Sequence, residues 1–195
     1  MTNKARPEPG SCRADGLSGA ARQVHLAVLA ELAGTDALAF TADGEIRAAY
    51  PFSAAATPIR VSWPGGPAAY AMCAIDALGM SAMLGRPVTI IAAEPGTGRV
   101  ITVHADGDHA RWNPSTTVVF AGCAGDAGRP SADGACRYIN FFATARNARA
   151  WARRHREVTG RLLTQDAALR SGVAQFGTLL QPAPPPGARA TTSPE

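Results

Sequence analysis

The chain has 195 residues, of which 46% are hydrophobic, and its 19 Lys and Arg residues against 15 Asp and Glu residues give a net charge of +4. This length suits one compact domain with short extensions, and so small a positive charge does not favour a nucleic-acid partner. No run approaches the ~18 to 20 apolar residues of a membrane span. The first residues lack the hydrophobic core of a secretory signal, so we expect no membrane partner and a cytoplasmic location.

The N-terminal region predicts a tail followed by one helix. Residues 1–16 are rich in Pro, Gly and charge, and we predict that they are disordered. Residues 17–33 are predicted to form an amphipathic helix that ends at Gly34. The apolar residues at helical spacing are Val24, Val28, Leu29 and Leu32.

A short hairpin is predicted next. Asp43-Gly44 is a tight-turn signal, and we expect it to join strands at residues 39–40 and 46–52. Residues 59–63 read as one more strand before a Pro and Gly-rich turn.

The remainder predicts an α+β fold in which antiparallel strands pack with helices, because strands and helices do not alternate strictly. A helix is predicted over residues 67–84 and a Gly and Asp-rich loop over 122–134. The predicted strands are residues 88–92, 99–104, 116–121 and 138–143. Two more helices are predicted at 147–158 and 164–180, the second weakened by Gly172 and Gly177. Residues 181–195 are rich in Pro and are predicted to be a disordered tail.

Two cysteines and one aspartate carry the chemistry of the sequence. Cys73 and Asp76 are three residues apart, so a helix would place them on one face. A carboxylate raises the pKa of a neighbouring thiol, which does not suit a simple nucleophile. The pair suits a site in which thiolates bind a soft metal and the carboxylate moves a proton. The four cysteines lack the CxxC pairs of a zinc site, and we expect free thiols.

The segment Tyr70-Ala-Met-Cys73-Ala-Ile-Asp76-Ala-Leu resembles a motif of the organomercurial lyases, also called alkylmercury lyases. Leu84-Gly85-Arg86 follows it as in that family. The second matching segment has Cys136 just before Phe141-Phe142-Ala143, and Trp151 and His155 follow at a similar spacing. The resemblance covers roughly residues 41–180, and the two motifs together are specific.

The resemblance implies a reaction and a role for each residue. Cys73 and Cys136 would be the thiol ligands of mercury, and Asp76 would relay a proton and help to hold the metal. The products would be a hydrocarbon and bound Hg(II), without an organic cofactor. Small-molecule thiols would serve as co-reactants, and Hg(II) would pass to a mercuric reductase.

The resemblance also implies an organisation. Family members carry a winged-helix-like module before the catalytic core. Here residues 17–64 have room for one helix and the hairpin only, so we predict a reduced module, with the core at 65–180. The chain departs from the family pattern at Met72, where Trp is common, at Glu94, where a cysteine aligns, and at Arg137, which is sometimes a second cysteine.

Two alternatives remain at this point. The same two thiols would suit a non-catalytic protein that binds Hg(II) or Cu(I), although retention of Asp76 favours the enzyme. A redox protein with a Cys73–Cys136 disulfide is disfavoured because CxxC is absent. If the trio is a site, the two sulfurs should lie within roughly 3 to 6 Å, with an Asp76 oxygen nearby. Cys123, in a Gly-rich stretch, is a candidate accessory thiol.

Overall fold

The computed structural model describes residues 18–125 and 131–181, so most of both predicted tails, and Cys12, lie outside the described residues. The described residues form an eight-stranded sheet, a three-stranded sheet and five α-helices, and all paired strands are antiparallel. The predicted α+β class is therefore confirmed. None of the described helices is long and apolar enough to cross a bilayer.

The large sheet has the order β1-β2-β3-β5-β4-β6-β7-β8. Its strands are β1 (Leu38–Phe40), β2 (Ile46–Ala49), β3 (Phe52–Ser53), β4 (Ile59–Ser62), β5 (Ala69–Ala71), β6 (Val88–Ala93), β7 (Val100–Asp106) and β8 (His109–Asn113). The sheet runs without a break across residue 64, and the predicted division there stays a prediction. Along β7 the buried residues alternate, because successive side chains point to opposite faces of a strand.

The small sheet has the order β10-β9-β11. Its strands are β9 (Val118–Ala124), β10 (Ile139–Phe142) and β11 (Val158–Leu163). The described α-helices are α1 (Gly19–Gly34), α2 (Ala74–Leu84), α3 (Ser131–Gly134), α4 (Ala145–Arg154) and α5 (Gln165–Phe176). The main core lies between the large sheet, α2, β10 and α5. A smaller core gathers around Trp151, whose ring meets Phe120 edge to face at 5.6 Å.

The predicted helix at 67–84 is wrong at its start. Residues 69–71 form β5, and α2 begins only at Ala74. The alanine-rich composition of these residues favours a helix. They form a strand instead because β5 pairs with β3 and β4, and this pairing outweighs the local preference for a helix. Cys73 is thereby the N-cap of α2, with an extended backbone at φ −152°.

The C-terminal half contains further corrections. The predicted helix at 147–158 ends at Arg154, and its last residue, Val158, begins β11. Strands β8 and β11 were not predicted, and β9 continues to Ala124 into the predicted loop. These strands are defined by pairing with distant residues, for example Leu163 with Val119, which local periodicity does not report.

Helix α1 forms close to its predicted bounds, but its apolar side is not buried. Val24 is 65% exposed and Val28 48% exposed, and none of the helix residues is buried among the described residues. The apolar spacing therefore predicted the helix correctly, although none of these apolar side chains is buried in the described structure.

Helices α2 and α5 touch through their backbones at two glycines. A Cβ built on Gly79 would lie 2.4 Å from the Gly172 carbonyl oxygen, and one on Gly172 would lie 2.6 Å from the Ile75 carbonyl oxygen. Gly172 therefore allows close packing of α5, rather than ending the helix. Gly177 is the C-cap.

Gly172→Ala is expected to destabilise the protein by about 1 to 2 kcal/mol, because overpacking against backbone atoms costs up to about 3 kcal/mol and outweighs the ~1 kcal/mol gain in helix propensity. The urea midpoint of unfolding would measure the change. Gly34→Ala is the matched control, since Gly34 ends α1 with no atom within 4 Å of a built Cβ. An equal effect of both substitutions would contradict the packing argument.

Candidate active site

Cys73, Asp76 and Cys136 meet in one buried cluster. Their two sulfurs and a carboxylate oxygen all lie within 4.8 Å of one another, and each residue is at most 5% exposed. The predicted proximity of the sulfurs is therefore confirmed, while the catalytic role of the three residues stays a prediction. Among the described residues, this is the one group of three or more His, Cys, Asp or Glu side chains that could hold a metal ion.

The start of α2 positions Cys73 and Asp76. The Cys73 sulfur accepts a hydrogen bond from the Asp76 backbone N–H at 3.4 Å, so the thiol occupies the place of a capping oxygen. The backbone N–H of Met72 donates to the Pro51 carbonyl at 3.1 Å, which fixes the chain just before the cap. The positive end of the helix dipole favours negative charge at this point.

Contacts from distant elements position Cys136, which lies in a 3₁₀ turn, Cys136–Tyr138, between α3 and β10. The first residue of α3, Ser131, donates its backbone N–H to both carboxylate oxygens of Asp36, at 3.1 and 3.2 Å. Arg47 on β2 pairs with Asp133 at 2.8 Å. These contacts tie the segment before Cys136 to the edge of the large sheet.

Burial governs the protonation of the cluster. It raises the pKa of Asp76 from 3.8 to about 7, against the opposing effect of hydrogen bonds from Cys73. Burial also raises the pKa of the Cys73 thiol, and the hydrogen bond with Cys136 and the negative charge of Asp76 raise it further. The Cys73 thiol therefore retains its proton near neutral pH, and the Asp76 carboxyl group can both give and take one.

Tyr50 is a site residue that the sequence did not indicate. Its hydroxyl oxygen lies 3.9 Å from the Cys136 sulfur, and Asp76 Oδ2 lies 4.0 Å from the same sulfur. Burial raises the pKa of Tyr50 well above its usual value, and the nearby Cys136 adds to this effect. Tyr50 falls near the end of a predicted strand with no motif around it, so only the folded structure reveals its position.

A cavity of about 340 Å³ gives access to the cluster. The trio and Tyr50 line this cavity together with polar residues from the α1–β1 turn and α3. Its lining also includes larger apolar side chains: Ile75, Ile139, Phe176 and Leu179. The cavity can therefore hold a small organic group beside the two sulfurs.

The departures from the family pattern lie around the site without lining the cavity. Met72 packs against the main core, and the guanidinium of Arg137 lies 5.7 Å from the centre of the Tyr138 ring. Cys123 is exposed, with its sulfur 3.6 Å from the Thr159 hydroxyl, and is not part of the cluster.

Glu94 is a fully enclosed carboxylate, 2% exposed. It accepts from the Ala143 backbone N–H at 2.8 Å, from the Asn147 amide at 3.1 Å to each oxygen, and from the Thr97 hydroxyl. The side chain thus fastens the β6–β7 turn to the junction of β10 and α4. It is a structural group rather than a ligand of the cavity.

Comparisons with known proteins agree with this site. The family model described as alkylmercury lyase matches residues 52–177. A solved structure, described as the crystal structure of the mercury-bound form of MerB2, is 27% identical with a TM-score of 0.67. The alignment covers 81% of this chain and 76% of that one. No match was found among curated protein sequences. Because the family model spans more than half of the residues, including all three members of the cluster, the chain belongs to the alkylmercury lyase family.

Proposed function

We propose that the protein is an organomercurial lyase that cleaves the carbon–mercury bond of alkyl and aryl mercury compounds by protonolysis. The observation that carries the proposal is the buried cluster of two thiols and one carboxyl group with a pKa of about 7, all within 4.8 Å. Sulfur ligands suit a soft metal. A carboxyl group whose pKa lies near neutral pH suits general acid catalysis at that pH.

The first steps load mercury onto the two sulfurs. An organomercury–thiolate complex exchanges its small thiolate for one protein sulfur, and the protein thiol's proton leaves on the released small thiol. The second protein thiol gives its proton to ionised Asp76 and binds the same mercury. Two sulfur donors then increase the electron density at the metal and weaken its bond to carbon.

The last step breaks the carbon–mercury bond. Asp76 delivers its proton to the carbon, the bonding electron pair stays with that carbon, and a hydrocarbon leaves. Hg(II) remains on Cys73 and Cys136, and Asp76 is again a carboxylate. We infer that no organic cofactor takes part, because each proton and electron pair in this sequence is supplied by the three side chains and the substrate. We further propose that small thiols remove the product and that a mercuric reductase receives it in the cytoplasm.

A non-catalytic soft-metal binding protein is the second candidate. Two buried thiols in a cavity would also hold Hg(II) or Cu(I) without any bond cleavage. The raised pKa of Asp76 favours the lyase, because sequestration has no use for a carboxyl group that can both take and give a proton near neutral pH.

Purified protein with excess thiol is expected to release methane from methylmercury and benzene from phenylmercury. Gas chromatography of the headspace would detect both products, and Gly34→Ala protein should behave as the unaltered chain. If the protein binds the organomercurials tightly but releases no hydrocarbon, the proposal of a lyase is refuted and that of a non-catalytic binding protein is supported.

A further inference from the structure

The Cys136 sulfur lies between two oxygen atoms, whereas a thiol has only one proton to donate. The Tyr50 hydroxyl is 3.9 Å away and Asp76 Oδ2 is 4.0 Å away. An ionised carboxylate can only accept a hydrogen bond, whereas a phenol can donate or accept. When Asp76 is ionised, the arrangement that uses both contacts has the Tyr50 hydroxyl donating to the sulfur and the thiol donating to Asp76.

Backbone hydrogen bonds hold the Tyr50-Pro51 segment in this place. The backbone N–H of Tyr50 donates to the Ala37 carbonyl at 3.1 Å, and the next residue, Pro51, accepts from Met72 at 3.1 Å. Pro51 is itself fully buried. The Tyr50-Pro51 pair therefore touches the chain next to Cys73 and also reaches the sulfur of Cys136.

We propose that Tyr50 is a positioning residue for Cys136: its hydroxyl donates to the sulfur and thereby directs the thiol's own proton toward Asp76. The inference rests on the lyase reaction proposed above and adds to it the residue that orients the thiol proton before Asp76 accepts it. The proton leaves sulfur as mercury binds, moves to the Asp76 carboxylate, and then moves to the departing carbon. Tyr50 keeps its own proton throughout and touches neither carbon nor mercury.

Tyr50→Phe removes the hydroxyl and keeps the ring. The kcat for phenylmercury cleavage is expected to fall about 3- to 20-fold, as for loss of one weak hydrogen bond to a charged group. The KM should stay near its original value, because the hydroxyl acts on the sulfur's proton and not on the organic group. Tyr138→Phe is the matched control, since Tyr138 packs in the smaller core and does not line the cavity.

A second measurement does not depend on turnover. With Cys12, Cys73 and Cys123 replaced by Ser, Cys136 is the single thiol, and its alkylation by iodoacetamide can be followed by mass spectrometry. Tyr50→Phe in this background should slow alkylation about 3- to 10-fold, because the thiolate is the reactive form and loses its donor. Tyr138→Phe should leave the rate unchanged.

The outcomes separate the two proposals. If the unaltered protein releases no hydrocarbon, the lyase reaction fails, while the alkylation rates still decide whether Tyr50 acts on Cys136. If turnover occurs and Tyr50→Phe changes neither kcat nor alkylation, the role of Tyr50 is refuted and the lyase stands. A lower melting temperature with an unchanged kcat per folded molecule would likewise overturn the inference.

Discussion

Cys136→Ser and Cys73→Ser are each expected to abolish hydrocarbon release. A serine hydroxyl is a hard, weak ligand for mercury, so each substitution leaves one sulfur where two are required to weaken the carbon–mercury bond. Fold stability should survive at position 73, because serine is a good N-cap and can accept the same hydrogen bond from the Asp76 backbone. Headspace chromatography measures the activity, and thermal unfolding checks the fold.

Cys123→Ser is the matched control for these substitutions. Its sulfur is exposed and lies outside the cluster, so full activity is expected. Cys12→Ser, in the predicted N-terminal tail, should also be silent. If Cys136→Ser protein kept full turnover, Cys136 would not be a required mercury ligand, and the chain would share only its fold with the family.

Asp76→Asn is expected to slow protonolysis by about 10²- to 10⁴-fold, the usual effect of losing a general acid. Binding of Hg(II) by Cys73 and Cys136 should largely persist, because both sulfurs remain. Asp166→Asn is the control, since Asp166 occupies the first turn of α5 on the surface. Turnover of Asp76→Asn at the unaltered rate would exclude Asp76 as the proton donor.

The same substitution should stabilise the protein at alkaline pH. Burial raises the pKa of Asp76 to about 7, so the folded state holds a proton that the unfolded chain releases near pH 4. This contribution to stability is complete below pH ~4 and is lost as the pH rises through ~7. Asparagine does not titrate. Asp76→Asn should therefore exceed the unaltered chain by about 2 to 4 kcal/mol at pH 8 and by little at pH 4.

Urea unfolding of the mercury-free proteins at pH 4, 6 and 8 would measure this difference. A gap between the two proteins that stays constant with pH would contradict the raised pKa. A gap that opens between pH 4 and 8 would show that the proton-relay group lowers the stability of the fold at the pH where it functions.

The sequence predicted the parts of the fold that depend on short-range patterns. The Asp43-Gly44 turn, the strands β6 and β7, and the start of α5 were each predicted from such patterns. For Cys73, local sequence patterns predict one feature and miss another. Its three-residue spacing from Asp76 correctly placed the two side chains together, but the cap position depends on β5 pairing with two other strands.

The residues that complete the site could not be predicted from local patterns. Tyr50 reaches Cys136 across 86 positions of sequence, and Asp36 reaches Ser131 across 95. Neither belongs to a motif, and their meeting depends on how β1, β2 and α3 are arranged. The two short motifs were sufficient to propose the trio because a family resemblance supplied the long-range pairing of Cys73 with Cys136.

The enclosed Glu94 has a consequence for how this family can vary. The Glu94 carboxylate accepts hydrogen bonds from Ala143, Asn147 and Thr97. Replacing Glu94 alone, even by the similarly shaped glutamine, leaves buried donors without an acceptor. Substitutions at 94, 97 and 147 should therefore be epistatic, each harmful singly and tolerated together. A cysteine at position 94 would require different residues at 97 and 147. The single substitutions that lead from a glutamate to a cysteine at position 94 are therefore expected to be destabilising.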